Sequence, residues 1–293
     1  MNPPGSSIAA DRSRHYAARR LTRRIALQHY ENFTVVSLAL PRHLRQDFYN
    51  IYAFCRHADD LADEIENSAD SLAKLAELKR DVHAMYAGAL RHPVLIALSD
   101  TQQKYDIPID PFLKLIDAFE QDRRVSRYET FADLRDYCRR SADPVGHLVL
   151  YLSGYRDPRR QSLADYTCTA LQLTNFWQDV VSDLGRGRIY IPLEDLARFG
   201  VSEQDLLDRL ATPAFVALMR FQVSRTREWF ARGDALLPLV DRRLRLDLSL
   251  YGTGGRAILD RIEAVGYNVV SRRPTLSRLA KLGLFARALL GVA

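Results

Sequence analysis

Two aspartate-rich segments carry residue types and spacings that could do chemistry. The first is Cys55–Glu64, which reads CRHADDLADE and places Asp59 and Asp63 four residues apart. Residues four apart share one face of a helix, so these carboxylates would project side by side. Like charges at this spacing destabilise an isolated helix by about 0.2–0.5 kcal/mol. Bound Mg²⁺, which takes oxygen ligands from one or two carboxylates and from substrate phosphates, would offset that repulsion.

The second segment is 172–183, which reads QLTNFWQDVVSD. Gln172, Asn175, Asp179 and Asp183 follow one another at three- and four-residue steps, as one stripe of a helix would. Polar groups on an otherwise apolar helix need partners, since burying them unpaired costs several kcal/mol. A single D-x-x-x-D pattern is more often part of a solvated surface. Two such clusters on apolar helices favour a metal–phosphate site.

Helices must position these side chains. Apolar residues recur at three- and four-residue spacing through most of the chain, and Pro and Gly interrupt the pattern. Ser202 and Thr212 are predicted helix starts. The best strand-like run, 188–192, is too short to build a sheet. The sequence therefore predicts an all-α protein with a flexible N-terminal tail over 1–16 and one helical domain over 17–293.

Bulk composition narrows the function only slightly. The net charge of +6 is compatible with a nucleic acid, an anionic membrane surface or a phosphorylated substrate. Cys55, Cys138 and Cys168 show no C-x-x-C spacing, which indicates reduced thiols in a cytoplasmic protein. We find no signal-peptide pattern, and no apolar run reaches the roughly 18 residues of a membrane span.

With both motifs, the chain resembles the squalene/phytoene synthase family of head-to-head prenyl transferases. The resemblance runs from about His29 to Pro274 and includes the continuation of the second motif into 187–192, GRIYIP. It implies a single-domain, isoprenoid-synthase-type helical bundle with a central apolar cavity. The two aspartate-rich helices would face each other across the mouth of that cavity.

The resemblance also implies a role for each matched residue. Mg²⁺ would bridge a diphosphate to Asp59, Asp63, Asn175, Asp179 and Asp183. The expected substrate and diphosphate contacts are His29, Phe33, Tyr52, Arg56, Gln172, Asn175, Arg188 and Tyr190. The expected catalytic residues are the four aspartates and Tyr137. Metal ions act as Lewis acids on a leaving diphosphate, and a dry aromatic cavity stabilises the remaining carbocation.

Four stretches resemble the bacterial hydroxysqualene synthases of hopanoid biosynthesis: 29–35, 137–146, 177–179 and 266–274. This resemblance implies that presqualene diphosphate and water give hydroxysqualene and diphosphate, without NADPH or flavin. Asp143 departs from the Asn expected there, and His147 from an Arg. The alternative within the family is coupling of two farnesyl diphosphates to presqualene diphosphate, squalene or dehydrosqualene.

Two short segments have competing interpretations. The Ser141–Pro144 break could place water near a cation with Tyr137 orienting it, or Asp143-Pro144 could simply start the next helix. The segment Gly252–Ala257 superficially matches the dinucleotide pattern G-x-G-x-x-A. No strand precedes it, so we interpret it as a loop or as close helix packing.

Partners follow from the same reasoning. The main one is an isoprenoid diphosphate substrate, and the pathway implies a presqualene diphosphate synthase and a downstream reductase. The different-class alternative is a non-catalytic helical binding protein, but the aspartate stripes would repel nucleic acid, so none is expected. The segment 276–292 is either a surface-seeking helix or the last helix of the bundle. We expect a cytoplasmic protein. If 276–292 is a surface-seeking helix, we also expect peripheral contact at the inner face of the cell membrane.

Overall fold

The computed structural model describes residues 4–28, 42–277 and Gly283, and no strand occurs within them. The all-α prediction is therefore confirmed for the described part of the chain. No helix there is both long and apolar enough to cross a membrane. The residues divide into two compact units, the first reaching Arg124 and including Tyr151–Gly154, the second comprising Val125–Leu150 and the residues from Tyr155 on. One domain over 17–293 stays a prediction.

The first unit consists of five helices in the described residues: α1 Pro4–Gln28, α2 Arg45–Asp63, α3 Ser68–Tyr86, α4 Pro93–Tyr105 and α5 Asp110–Asp122. Helix α1 begins at Pro4, inside the segment 1–16 that was predicted to be a tail. The flexibility of that segment stays a prediction. Two side chains of α1 tie the helix to α4. His15 and Arg19 both bond to Asp100, at 2.8 Å each.

A buried polar network joins α1, α2 and α4. The Asn50 amide donates to the Ala97 carbonyl and to Thr101 Oγ1, both at 2.9 Å, and its Oδ1 accepts from Thr22 Oγ1 at 2.7 Å. Asp47, one turn earlier on α2, accepts from Lys104 Nζ at 2.7 Å. These partners satisfy the buried groups, so hydrogen bonding orients α2, the helix that carries the first aspartate motif.

The described residues contain eight further α-helices, all in the second unit except the last two residues of α7. They are α6 Phe131–Ser141, α7 Asp143–Leu152, α8 Pro158–Gln178, α9 Val180–Gly185, α10 Leu193–Phe199, α11 Glu203–Leu207, α12 Pro213–Gly233 and α13 Arg242–Ala264. A 3₁₀ helix, Asp234–Leu239, links the last two. Ser202 and Thr212 are N-caps that accept backbone hydrogen bonds from Asp205 and Phe215, which confirms both predicted helix starts.

Close packing holds α8 against α12 and α13. The Trp177 indole is fully buried and donates to Thr226 Oγ1 at 2.8 Å. A Cβ added at Gly255 would come within 2.4 Å of the Phe230 ring and 2.9 Å of Leu171. Gly252–Ala257 thus lies inside α13 with no preceding strand, and the prediction of close helix packing is confirmed.

Candidate functional site

The first aspartate motif occupies the C-terminal half of α2. Arg56 Nη1 lies 2.9 Å from Asp59 Oδ2, and Arg56 Nη2 lies 2.5 Å from Asp60 Oδ1. Ala58 and Ala62 are buried on the opposite face, while Asp63, the last residue of the helix, is exposed. The helix therefore presents one arginine and a row of carboxylates on a partly exposed face, as the four-residue spacing predicted.

Tyr52 lies one turn before Arg56 on the same helix. Burial raises the pKa of its phenol, Arg56 opposes that rise, and Asp59 adds to it. The phenol is therefore neutral at physiological pH. This placement brings together Tyr52, Arg56 and Asp59, three of the predicted site residues.

The second aspartate motif lies at a break between two helices. The stripe from Gln172 to Asp183 was predicted to lie on one helix, but α8 ends at Gln178, and Asp179 has φ −106° and ψ 15° before α9 begins. The Asp179 carbonyl accepts from the Asp183 amide and from Ser182 Oγ, both at 2.9 Å, which stabilises the bend. Asn175 is exposed and Gln172 half-buried along the end of α8.

Asp179 pairs with a residue that the sequence did not single out. Arg273 Nη2 lies 3.1 Å from Asp179 Oδ2, and Arg273 Nε bonds to the other carboxylate oxygen. This hydrogen bonding, with the nearby charges of Asp179 and Asp183, raises the pKa of Arg273. The only signal for Arg273 was the resemblance of the stretch 266–274, to which no role was attached.

The segment after α9 runs alongside residues 126–129. The Ile189 amide donates to the Ser126 carbonyl, and the Leu193 amide to the Tyr128 carbonyl, both at 2.9 Å. Arg127 Nη1 donates to the Gly187 carbonyl at 2.7 Å. Gly187 has φ +75°, which favours glycine at this turn. These bonds place Arg188 at the surface turn and direct Tyr190 into the unit.

Four aromatic residues form a buried cluster beneath this segment, which we call the ring cluster: Tyr128, Tyr137, Phe176 and Tyr190. The Phe176 and Tyr190 rings stack with centroids 3.9 Å apart. Tyr137 lies 5.9 Å from Tyr190 and 6.1 Å from Phe176, and Tyr128 lies 5.8 Å from Tyr190. The structure thus brings together the predicted residues Tyr137 and Tyr190. Tyr128 was missed because it stands in a loop without periodicity.

The Ser141–Pro144 break is a helix boundary. Asp143 begins α7 directly after α6, which confirms the helix-start interpretation. Asp143 is 3% exposed, accepts from Thr169 Oγ1 at 3.0 Å and lies 2.8 Å from Arg135 Nη1. Burial raises the pKa of Asp143 to about 7, with Asp165 adding to the rise and Arg135 opposing it. Water placement by this segment stays a prediction.

Three expectations remain untested by the geometry. His29 and Phe33 lie outside the described residues, as does almost all of 276–292. The expectation that the two aspartate-rich helices face each other also stays a prediction, because the motifs belong to different units.

The donor chemistry of each motif fits a magnesium ion held jointly with a diphosphate. Within the described residues, no three His, Cys, Asp or Glu side chains converge into a metal cage of their own. Mg²⁺ does not need one, since it commonly takes one or two carboxylates plus phosphate oxygens and waters. Asp59 and Asp179 each offer partly exposed carboxylate oxygens beside an arginine that could bond the same phosphates.

Comparison with known proteins gives consistent results. Residues 26–280 match the family model described as squalene/phytoene synthase. The 15-cis-phytoene synthase of Synechococcus elongatus is 32% identical, over 95% of this chain and 94% of that protein. The phytoene synthase of Arthrospira platensis is 35% identical, over 90% of this chain and 91% of that protein. The crystal structure of squalene synthase HpnC from Alicyclobacillus acidocaldarius is 45% identical with a TM-score of 0.82, covering 89% of this chain and 97% of that one. A dehydrosqualene synthase structure is 27% identical with a TM-score of 0.86, covering 96% and 99%.

Proposed function

We propose that this chain, which belongs to the squalene/phytoene synthase family, converts presqualene diphosphate and water to hydroxysqualene and diphosphate. The enzyme ionises the substrate with the help of Mg²⁺, and water captures the rearranged carbocation. No nicotinamide or flavin takes part, because the addition of water to the carbocation is not a reduction.

The ring cluster is the observation that carries this proposal. Ring faces stabilise a carbocation, and a buried site keeps bulk water away until the cation has rearranged. Phe176 stands one turn before Asp179, so the cluster lies next to the second aspartate motif. A phenol hydroxyl among aromatic faces can hold a single water molecule, and we assign that role to Tyr137.

The chain's own residues have distinct tasks. The side chains of Asp59, Asp63, Asn175, Asp179 and Asp183 would supply Mg²⁺ ligands. Bound Mg²⁺ supplies Lewis-acid stabilisation of the charge on the departing diphosphate. Arg56 and Arg273, which pair with Asp59 and Asp179, add guanidinium donors for the same oxygens.

The capture step balances without a reductant. The C–O bond to diphosphate breaks with its electron pair, and the water oxygen forms a new C–O bond to the carbocation. The water then loses one proton to the released diphosphate, a basic anion. Tyr137 orients the water through its hydroxyl and needs no net change of protonation.

Sequence similarity points to two different members of the family. The 45% identity to a squalene synthase structure exceeds the 32–35% identity to cyanobacterial phytoene synthases. Those phytoene synthase names favour a second candidate, the head-to-head coupling of two prenyl diphosphates. In the C30 series its products would be presqualene diphosphate, squalene or dehydrosqualene.

The test is to incubate the protein with Mg²⁺ and presqualene diphosphate, without NADPH, and to identify the lipid product by mass spectrometry. We expect a C30 alcohol that takes its oxygen from heavy-oxygen water and disappears in Asp59→Ala and Asp179→Ala. No conversion of presqualene diphosphate, together with diphosphate release from farnesyl diphosphate or a longer homologue, would instead assign the chain to coupling.

Tyr137→Phe separates the role of the hydroxyl from that of the ring. It should lower the share of alcohol and raise the share of C30 hydrocarbon, while total diphosphate release stays within about threefold of wild type. Tyr128→Phe, in the same ring cluster, is the matched control. Equal product ratios for the two variants would remove Tyr137 from water positioning.

A further inference from the structure

We propose that the exposed face of α1, formed by Arg12, Tyr16, Arg20, Arg23, Arg24 and Leu27, docks this protein on the anionic surface of a lipid bilayer. The proposal goes beyond the reaction proposed above and holds for any isoprenoid product. It concerns the first unit alone.

The charge of the chain is concentrated on this helix. Between Pro4 and Gln28 there are six arginines and one aspartate, whereas the whole chain has a net charge of only +6. The helix therefore carries five of the six net positive charges. A local excess of this size creates a positive field that reaches about a Debye length from the helix, about 10 Å in moderate salt.

The helix divides into a buried face and an exposed face. Ala18, Thr22 and Ala26 are buried and four residues apart, and Ala18 packs against Ile96 and Ala97 of α4. At 3.6 residues per turn, the stripe residues other than Arg24 lie within about 40° of one line, which runs about 120° around the helix from the buried row. Arg24 lies about 80° from that line. The exposed side is thus a continuous stripe along the helix.

Two arginines hold the helix to its own unit and leave the others to face outward. Arg14 Nη2 donates to the Leu90 carbonyl at 3.1 Å, and Arg19 Nε donates to Asp100 Oδ2 at 2.8 Å. The remaining arginines of α1 all have exposed side chains. Removing their charges should therefore leave the packing of α1 intact.

Two exposed hydrophobic residues favour lipid as the occupant. Tyr16 is 66% exposed and Leu27 is 42% exposed. They lie on the stripe about 17 Å apart along the helix axis, at 1.5 Å per residue. Basic residues interleaved with an exposed aromatic and an aliphatic side chain suit the headgroup boundary, where both charge and apolar surface are satisfied. A polyanion such as RNA would use the arginines but gain little from Leu27.

The experiment measures vesicle flotation of the full chain, using phosphatidylcholine vesicles with and without about an equal part of phosphatidylglycerol. The variant Arg12→Gln, Arg20→Gln, Arg23→Gln, Arg24→Gln should lose about tenfold or more of its partitioning onto anionic vesicles. The control replaces four exposed arginines of the second unit, Arg139, Arg159, Arg209 and Arg242, with Gln. This control has the same net charge as the α1 variant, and its partitioning onto anionic vesicles should stay within about twofold of wild type.

Two further measurements keep the proposal falsifiable if the quadruple variant unfolds. Flotation of the wild type on anionic vesicles should fall steeply between low and high salt, and Leu27→Gln should weaken it by about threefold without changing the charge. Equal losses in variant and control, or wild-type binding to neutral vesicles as strong as to anionic ones, would overturn the proposal. Loss only on neutralising Arg278, Lys281 and Arg287 would overturn it in favour of the C-terminal segment. Tight salt-sensitive binding to RNA with no flotation would do so in favour of nucleic acid.

Discussion

In the first unit, the arginine that pairs with Asp59 stands three residues before it on the same helix. In the second unit, Asp179 pairs with Arg273, 94 residues later in the chain. The first motif can therefore form its ion pairs as soon as α2 forms, whereas the second is complete only when the segment 266–274 has returned to the end of α8. One motif is local and the other depends on tertiary structure.

The helices that carry the motifs are also held in different ways. Asn50 and Asp47 fix α2 through buried hydrogen bonds, which require a specific partner at each donor and acceptor. Close contacts at Gly255 and Trp177 fix α8, so the shape of its neighbours decides its position. Similar aspartate spacing in the sequence thus corresponds to two different structural solutions.

The largest expected effect is common to both motifs. Asp59→Asn and Asp179→Asn should each lower diphosphate release by about 100- to 1000-fold at saturating Mg²⁺, because each removes a charged oxygen ligand where negative charge develops. Asp117→Asn and Asp260→Asn, which alter partly exposed ion-paired aspartates elsewhere, are the controls and should keep near wild-type rates. A loss in only one motif variant would mean that the other motif takes no part in ionisation.

A smaller effect should separate the local from the long-range arginine. Arg56→Gln and Arg273→Gln should each slow turnover by about 10- to 100-fold by removing a diphosphate donor. Only Arg273→Gln should also speed amide hydrogen exchange in 266–274, because it releases that segment from Asp179. Unchanged exchange there would show that Gln178, whose amide donates to the Pro274 carbonyl at 2.5 Å, holds the segment alone.

Stability measurements compare how the two helices are held. Asn50→Ala should lower the free energy of unfolding by about 2–3 kcal/mol, because it leaves buried partners on α1 and α4 unsatisfied. Gly255→Ala should cost about 1–3 kcal/mol, because the new methyl group overlaps Phe230 and Leu171. Gly254→Ala, where an added Cβ meets nothing within 4 Å, is the matched control and should be neutral or slightly stabilising. Denaturant unfolding checks all three.

The smallest effect is a pH dependence confined to the first unit. His57 stacks on His92 with centroids 4.4 Å apart, and burial, with the charge of His92, lowers the pKa of His57 to about 4. The unfolded chain therefore binds the proton more readily, and stability should fall as pH drops from about 6.5 toward 4. His57→Phe keeps a stacked ring and should flatten this loss, while the exposed His83→Phe should not. Thermal melts of the wild type and both variants across this pH range check the prediction. If His57→Phe loses stability with falling pH as the wild type does, the loss does not come from His57.

The sequence predicted what depends on short spacing. Helical periodicity predicted the all-α class, and the four-residue spacing of Asp59 and Asp63 predicted that they share one face of a helix. Tyr52 and Arg56 were identified by the family resemblance. Cap residues located the starts of α11 and α12. Each of these features is decided within one or two turns of helix, where local geometry leaves few alternatives.

Features that depend on distant partners were missed. The bend at Asp179 is stabilised by groups whose geometry a periodic pattern does not contain, and Arg273 and Tyr128 reach the second motif and the ring cluster only through tertiary contacts. Helix α1 was not predicted from the sequence either. The polar residues, Pro and Gly of 1–16 suggested a tail, whereas Ala18 and Ala26, small residues that the helix buries, lie beyond that segment.

The backbone bonds between 126–129 and 187–194 make the length of the second segment more important than its composition. The Ile189 and Leu193 amides are fixed to the Ser126 and Tyr128 carbonyls, so one residue inserted between Gly187 and Tyr190 would shift Tyr190 relative to Phe176 while leaving both residues present. By contrast, Gly88 lies in an exposed turn, residues 87–89, directly after α3. Insertions and deletions that preserve activity should therefore accumulate at turns such as Gly88. The 187–193 segment should keep its residue count even where its individual side chains change.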